Sequence, residues 1–544
     1  MNFEKQADIV LSSQAVFTGL EDEPRPAAIA ITDNKIIAIG SEEEIEPFIG
    51  EQTKVYKYDD ELIMPGFHDF HLHVMMGSLS LESVNLFAAR SEEEAVNMVQ
   101  EYGQAHPEEP WIIGFMWDSS YWDDQELPHR SSLDRVFPDR PVLLFHAEGH
   151  YAWVNSKALE IAGIDRDTEN PPYGTIEKDE MGEPTGIVIE RAIEPITRYA
   201  FDLSQARKTE LFQGFLAEAA RFGVTSVNDL FGTQMNSRLD DFPLLQKFEE
   251  QGKLTVRIHL FPVLDGDLKR AEQLRKTYAS DKLRVSGLKQ FIDGVITSRT
   301  AYLLGSYADM PGVEGHAEFS LDTLTEWVVE ADKASFSVRF HAIGEGAIRM
   351  ALDTFEEAQK QNGVRDSRHS VEHVEVIHPT DIPRFKQLGV IASMQPDHFA
   401  LSERNVYTER IGMEREKYVF AIRTLKDAGA KLAFGTDFPI DSLNPMRQLY
   451  RAITRVDSGG VDVWNPAERI TLAEAIRAYT SGSAFGTFRE HELGTLEVGK
   501  LADIAVLDRN LFDVSAEEIL DAQANLTIVD GSVVFEKKTG ALKA

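Results

Sequence analysis

Cysteine is missing from all 544 residues, so disulfides are excluded and any metal ion must be held by nitrogen and oxygen ligands. Positive charge is scarce as well: 55 Lys and Arg face 90 Asp and Glu, a formal net charge of -35. A surface of that sign repels phosphate backbones and anionic bilayers, which argues against nucleic acid and membrane surfaces as partners. No apolar run approaches the roughly 20 residues that cross a bilayer, and the first residues lack a basic start leading into an apolar stretch. A cytoplasmic location is the expectation from these absences. What remains is 43% hydrophobic and 27% charged, the ordinary profile of a soluble globular enzyme with ample material for a large core.

Short strand-like runs occupy both ends of the chain: 9–17, 27–32, 35–39 and 54–58 at the start, and 503–507, 526–529 and 532–536 at the finish. Neither end has enough apolar residues to form a domain alone, so residues 1–62 and 494–544 are expected to pair as one small discontinuous β-sandwich domain. Between them, strand-like segments at 63–71, 224–229, 254–263, 284–291, 337–341, 369–373, 390–395 and 431–437 alternate with helix-period stretches such as 211–221, 324–334 and 348–359. That alternation predicts an α/β chain whose residues 63–493 form a (β/α)8 TIM barrel. The connection after the first barrel strand is far too long for a loop, so about 78–204 should be an elaborated insertion over the catalytic face.

Residues 63–73 read I-M-P-G-F-H-D-F-H-L-H. On a strand, residues i and i+2 point to one side, so His71 and His73 would send both imidazoles into one pocket. Barrel active sites lie at the C-terminal strand ends, and there the sequence supplies Lys289, His341, His373 and Asp437 as well. Six side chains able to serve a metal centre thus converge on one mouth. His150, Trp117 and Arg299 are candidate substrate-binding residues. The insertion also gathers Trp111, Trp117, Tyr121, Trp122, Tyr151 and Trp153, which predicts an apolar, aromatic cover and a preference for a bulky apolar group.

Met64-Pro65-Gly66-Phe67 followed by Asp69-Phe70-His71-Leu72-His73 resembles the opening of an amidohydrolase-superfamily barrel. The chain resembles in particular the branch of YtcJ-like hydrolases and N-substituted formamide deformylase. That likeness rests on Gly223-Val224-Thr225-Ser226-Val227, Ser298-Arg299-Thr300-Ala301, His341-Ala342-Ile343-Gly344, Glu372-His373, Met394-Gln395-Pro396, Gly435-Thr436-Asp437-Phe438-Pro439 and, in the insertion, Gly149-His150-Tyr151-Ala152-Trp153-Val154-Asn155. His68 and Asn228 depart from the branch pattern.

The resemblance implies one or two divalent ions, zinc first among candidates, with one ion on His71, His73 and Asp437. A second would sit on His341 and His373, bridged by Lys289 as a carbamate. It implies hydrolysis of a carbon–nitrogen bond in a small amide, an N-acyl or N-formyl amine, by metal-activated water, with Asp437 moving the proton. Two readings compete. A one-metal deaminase of the same superfamily would need a glutamate acid near Glu345, and a non-catalytic binding or regulatory protein on this fold would show missing ligands. A homodimer is the assembly to test.

Overall fold

The computed structural model describes residues 6–123, 125–231, 235 and 237–537. Both chain ends meet in one eight-stranded sheet. Strand Ile9–Val16 pairs antiparallel with Arg25–Thr32 and parallel with Lys54–Lys57 and Leu62–Pro65. From the far end of the chain, Ile504–Leu507 adds to Leu62–Pro65 with Ile63 opposite Val506, and the Ala524–Val529 and Ser532–Glu536 hairpin completes the edge. Leu11, Ile29, Ile63, Ile504 and Ile528 share a core on one face. Alternate residues of the same strands, Val10, Ala28 and Ala30, gather on the other face with Ile45. The expected pairing of the termini therefore takes the form of one continuous hydrogen-bonded sheet.

Phe67–Leu72, Val224–Leu230, Arg257–Phe261 and Leu283–Val285 form a parallel four-stranded sheet. Leu288–Phe291, Val338–Ala342, Ser370–His373, Ile391–Met394 and Lys431–Phe434 form a parallel five-stranded one. Parallel bridges from Val263 to Lys289 and from Leu72 to Phe438 link the two sheets at both edges. Most of these strands are buried along their whole length, as parallel strands covered by helices must be. The covering helices start where serine can cap them: Ser204 accepts from Arg207 N ahead of Gln205–Arg221, and Ser320 from Thr323 N ahead of Leu321–Lys333.

Two strands read as continuous in the sequence are broken. The 284–291 segment divides into Leu283–Val285 and Leu288–Phe291, and the 63–71 segment divides at Gly66. At Gly66 a Cβ would lie 2.2 Å from Thr225 Cγ2, so only glycine lets the chain pass from the composite sheet into the parallel one.

The long insertion folds as a mixed six-stranded sheet in the order Gly174–Lys178, Pro184–Glu190, Tyr151–Val154, Val142–His146, Ile112–Trp117, Val84–Asn85. One sheet face must be buried, and its largest side chains fill that need: Trp117, Trp122, Tyr151 and Trp153 lie in the insertion's own core with Val99, Leu133 and Leu144. This corrects the expected aromatic cover. Among the described residues no helix is long and apolar enough to cross a membrane.

The composite sheet is fastened to the parallel strands by charge. Buried Arg257 donates to Asp503 at 2.8 and 3.1 Å and to Asp530 at 2.9 Å. Arg257→Leu should leave Asp503 buried without its partner, at a cost of about 3–5 kcal/mol. The expected outcome is a lower thermal midpoint together with faster amide exchange in Ile504–Leu507 and Ala524–Val529. Unchanged exchange there would show that the sheet is held by its apolar core alone.

Candidate metal centre

The C-terminal ends of the parallel strands bring together His71, His73, His341, His373, Asp437 and Lys289, of which all but Lys289 line one cavity of about 250 Å³. Asp437 is the hub. Its Oδ1 stands 3.3 Å from His71 Nε2 and 3.2 Å from His73 Nε2, and its Oδ2 stands 3.6 Å from His398 Nε2. The first two separations match the edge of a tetrahedron with metal–ligand bonds of about 2.0–2.1 Å, an edge of about 3.3 Å.

Each imidazole has its other nitrogen engaged, which fixes where its lone pair points. His71 Nδ1 meets Glu372 Oε2 at 2.7 Å and His73 Nδ1 meets the Leu230 carbonyl at 2.8 Å, leaving both Nε2 atoms facing Asp437. His373 Nδ1 meets Gln395 Oε1 at 2.9 Å, and its buried Nε2 has no protein partner. His341 Nε2 meets the Gly294 carbonyl at 3.3 Å, which leaves Nδ1 as the acceptor nitrogen. Burial pushes the imidazole of His71 down to about 4 and those of His341 and His373 well below the ordinary range, so all three are neutral and able to ligate.

Asp437 is the converse case: burial raises it, but His71, His73 and His398 together hold its carboxyl well below the usual range. Its Oδ1 is buried without a hydrogen bond. Lys289 is fully buried, its Nζ has no hydrogen-bond partner, and it lies 4.9 Å from the centre of the Phe291 ring. Asp293, the obvious acid for an ion pair, instead accepts from Ile343 N, Gly344 N and Tyr302 N. Burial pushes the Lys289 ammonium down to about 7. Inward lone pairs, an ionised carboxylate and orphaned polar atoms form a donor set that suits a divalent cation.

The backbone is shaped for this task. Asp69 is buried and accepts from His71 N at 3.1 Å, Thr436 Oγ1 at 2.6 Å and Tyr479 Oη at 2.9 Å, tying the first strand to the loop after the last. At Gly435 a Cβ would lie 2.4 Å from His71 N, so the two segments approach this closely only because the side chain is missing.

Of the weaker candidates, His150 lines the cavity; its Nδ1 is 3.0 Å from Glu190, and its ring centroid is 5.1 Å from that of His341. Trp117 does not line it: the indole packs in the insertion core and donates to the Leu144 carbonyl at 2.8 Å. Arg299 does not line it either, being held by Asp309 at 2.6 Å. Sequence reasoning missed His398, Glu372 and Glu375. His398 follows Gln395-Pro396 closely enough to have been noticed; its Nδ1 is 3.5 Å from Glu375, whose other oxygen takes the Tyr407 hydroxyl proton. Glu375 and Asp437 raise its pKa against burial, which sets it apart from the neutral imidazoles of His71, His341 and His373. The two departures from the branch pattern are partners of each other, His68 Nε2 lying 2.9 Å from Asn228 Oδ1.

The family described as "Amidohydrolase family" matches residues 59–535. The chain is 33% identical to Protein LONG AFTER FAR-RED 3 of Arabidopsis thaliana over 97% of its own length and 92% of that protein. It is 26% identical to N-substituted formamide deformylase of Arthrobacter pascens, covering 94% of this chain and 95% of that one. A crystal structure of an uncharacterized metal-dependent hydrolase from Pyrococcus horikoshii OT3 superposes with a TM-score of 0.75 at 25% identity, covering 94% of this chain and 99% of that one.

Glu372 carries the testable weight of this geometry, because it orients His71 and is itself held by Arg339 at 2.8 Å through two nitrogens. Glu372→Gln should weaken divalent metal binding about 10–100-fold, the usual effect of removing a carboxylate behind a ligating histidine. Competition against a chelator measures it. An unchanged affinity would mean that Glu372 has no part in orienting the ligand.

Proposed function

Starting from the fact that the chain belongs to the amidohydrolase family, we propose that it hydrolyses the carbon–nitrogen bond of an N-acyl or N-formyl amine. The single observation that carries the proposal is the convergence of inward-facing nitrogens on Asp437. We read the two linked parallel sheets as one (β/α)8 barrel, residues 63–493, whose mouth holds the site, with 1–62 and 494–544 as the composite β-domain.

His71, His73 and Asp437 would hold one ion, and His341 and His373 a second, with zinc the first candidate. Lys289 would bridge them after its uncharged amine adds carbon dioxide and releases a proton. Its burial supports this, since an ammonium pushed down to about 7 is substantially deprotonated at neutral pH. When bound, such ions supply Lewis acidity, acidifying water and polarising a carbonyl.

The chain's own residues then do the rest. Asp437 Oδ1 faces His71 and His73, so Oδ2, 3.6 Å from His398 Nε2, is the oxygen that would take the proton from the attacking water and deliver it to the departing nitrogen. His150, held by Glu190, contributes a polar contact to the substrate from the insertion side. The cavity walls include Phe231, Phe291, Phe319 and Trp327, which support an apolar portion beside the amide, and the likeness to a formamide deformylase supports the acyl group. A deaminase would need Glu345 at the metal; here Glu345 begins helix Glu345–Asn362, accepts from Arg415 at 2.8 Å and is absent from the cavity wall.

Asp437→Asn should lower turnover on N-formyl and N-acetyl benzylamine by about two to four orders of magnitude, the range for losing a general acid–base group. Metal analysis of the wild type should find about two equivalents per chain, and Lys289→Ala about one, with partial rescue by a small carboxylic acid. Near-normal turnover of Asp437→Asn, or active protein free of metal, would overturn the assignment.

A further inference from the structure

The walls beyond the metal-facing residues are unbalanced. Glu148, Glu190, Glu194, Asp240, Asp265 and Glu318 all line the cavity, and Arg191 is the one arginine or lysine among its described lining residues. Some of this charge is committed. Glu190 takes His150 and the Thr300 hydroxyl, Glu148 takes the Thr297 hydroxyl, and Asp265 is held by Arg270 at 2.9 Å.

Three carboxylates are left with one cation. Arg191 sits 3.2 Å from Glu194 and 3.4 Å from Glu318 and is shared between them, while Asp240 has no hydrogen bond or ion pair among the described residues. Lys208, the nearest candidate for Asp240, donates to the Arg238 carbonyl and pairs with Asp241 at 3.6 Å. Burial is the main cause that pushes Glu318 up to about 7 and Asp240 well above its ordinary range. Carboxylates in that condition are stabilised by a positive group arriving in the cavity.

A second observation marks this cavity as built for a ligand. His373 and Asp437 line it, and their buried Nε2 and Oδ1 atoms make no hydrogen bond to the protein. Aromatic faces are available too: Tyr173, Phe231 and Trp327 share the lining, with Phe319 and Trp327 in edge contact at 5.1 Å. Acids with aromatic rings are the wall composition that receives an organic cation, by ion pairing and by the ring quadrupole. A neutral ligand would leave Glu194 and Glu318 sharing Arg191 and add no partner for Asp240, and an anionic one would face all three acids directly.

We propose that the substrate carries a cationic nitrogen outside the scissile bond, an N-acylated diamine or other amino-bearing amine, held by Glu318, Glu194 and Asp240. The proposal deepens the reading of the site as an amide hydrolase and narrows its substrate class. Glu318 and Asp240 are specificity-determining residues in it.

Binding tests this apart from catalysis. Choline and its neutral tert-butyl isostere, in which carbon replaces the charged nitrogen, have the same shape and no amide. Calorimetric titration of the metal-loaded protein should give choline an affinity at least about tenfold tighter, in line with pairing a charge inside a shielded site. Glu318→Gln and Asp240→Asn, each isosteric and each checked for an unchanged thermal midpoint, should reduce that ratio. Equal binding of the two probes, no binding of either, or a ratio untouched by both variants would overturn the proposal. Failure to cleave any amide while choline is still preferred would count against amide hydrolysis and leave the cation site standing.

Discussion

A carboxylate buried behind the first histidine is the interaction on which the site depends. Glu372 is wholly buried and receives Arg339 through two nitrogens, the hydroxyls of Ser370 and Ser393, and Nδ1 of His71. Burial alone would drive it neutral; Arg339 and His71 instead hold it well below the carboxylate range. Because it stays charged, the His71 proton stays on Nδ1 and the lone pair on Nε2 faces Asp437. Arg339 in turn lies between Phe70 and Phe261, at 3.9 and 4.6 Å from their ring centres, and donates to the Phe70 carbonyl. The parallel strands thus share a charged layer beneath the mouth, and the His71 imidazole above it takes its orientation from that layer.

The same dependence explains why the candidate ligands could be picked out in the sequence and their supports could not. His71 and His73 announce themselves by an i, i+2 spacing on a strand, Lys289 falls late in a predicted strand, and His341, His373 and Asp437 fall where strands end. Glu372 carries no such mark: its partner His71 lies 301 residues away, and that contact exists only when the strands have assembled. His398 is similar, since its link to Asp437 crosses from one loop to another. His68 and Asn228 looked like two unrelated departures in the sequence, yet their hydrogen bond makes them one compensated change.

Fold legibility divides along a comparable line. Period and turn residues located the parallel strands, because a buried parallel strand is a continuous apolar run of characteristic length. They could not show that Gly66 cuts the first run into two strands of different sheets, because the cause is the side chain of Thr225. The insertion misled for a different reason. Its aromatic residues were read by location in the chain as a cover, whereas the six-stranded sheet they belong to uses them as its own core. Most of the residues it does present to the cavity, among them Glu148, His150, Tyr173, Glu190, Arg191 and Glu194, are polar or charged.

Backbone strain gives the last step. Among non-glycine residues with positive φ are Asp437 at 58°, His373 at 73° and Glu190 at 51°, one from each layer of the site: the hub carboxylate, a buried imidazole facing the cavity and the acid behind His150. Such conformations cost on the order of 1–3 kcal/mol each and persist only where the surroundings over-determine them. Here they are over-determined by identifiable contacts. Asp437 N donates to the His71 carbonyl at 2.6 Å, His373 is held through Gln395, and Glu190 N donates to the His150 carbonyl at 2.8 Å while Thr300 takes its side chain. All three residues line the cavity, so the strain is spent on the geometry of the site, and the insertion's Glu190 belongs to that geometry as fully as His373 and Asp437 do.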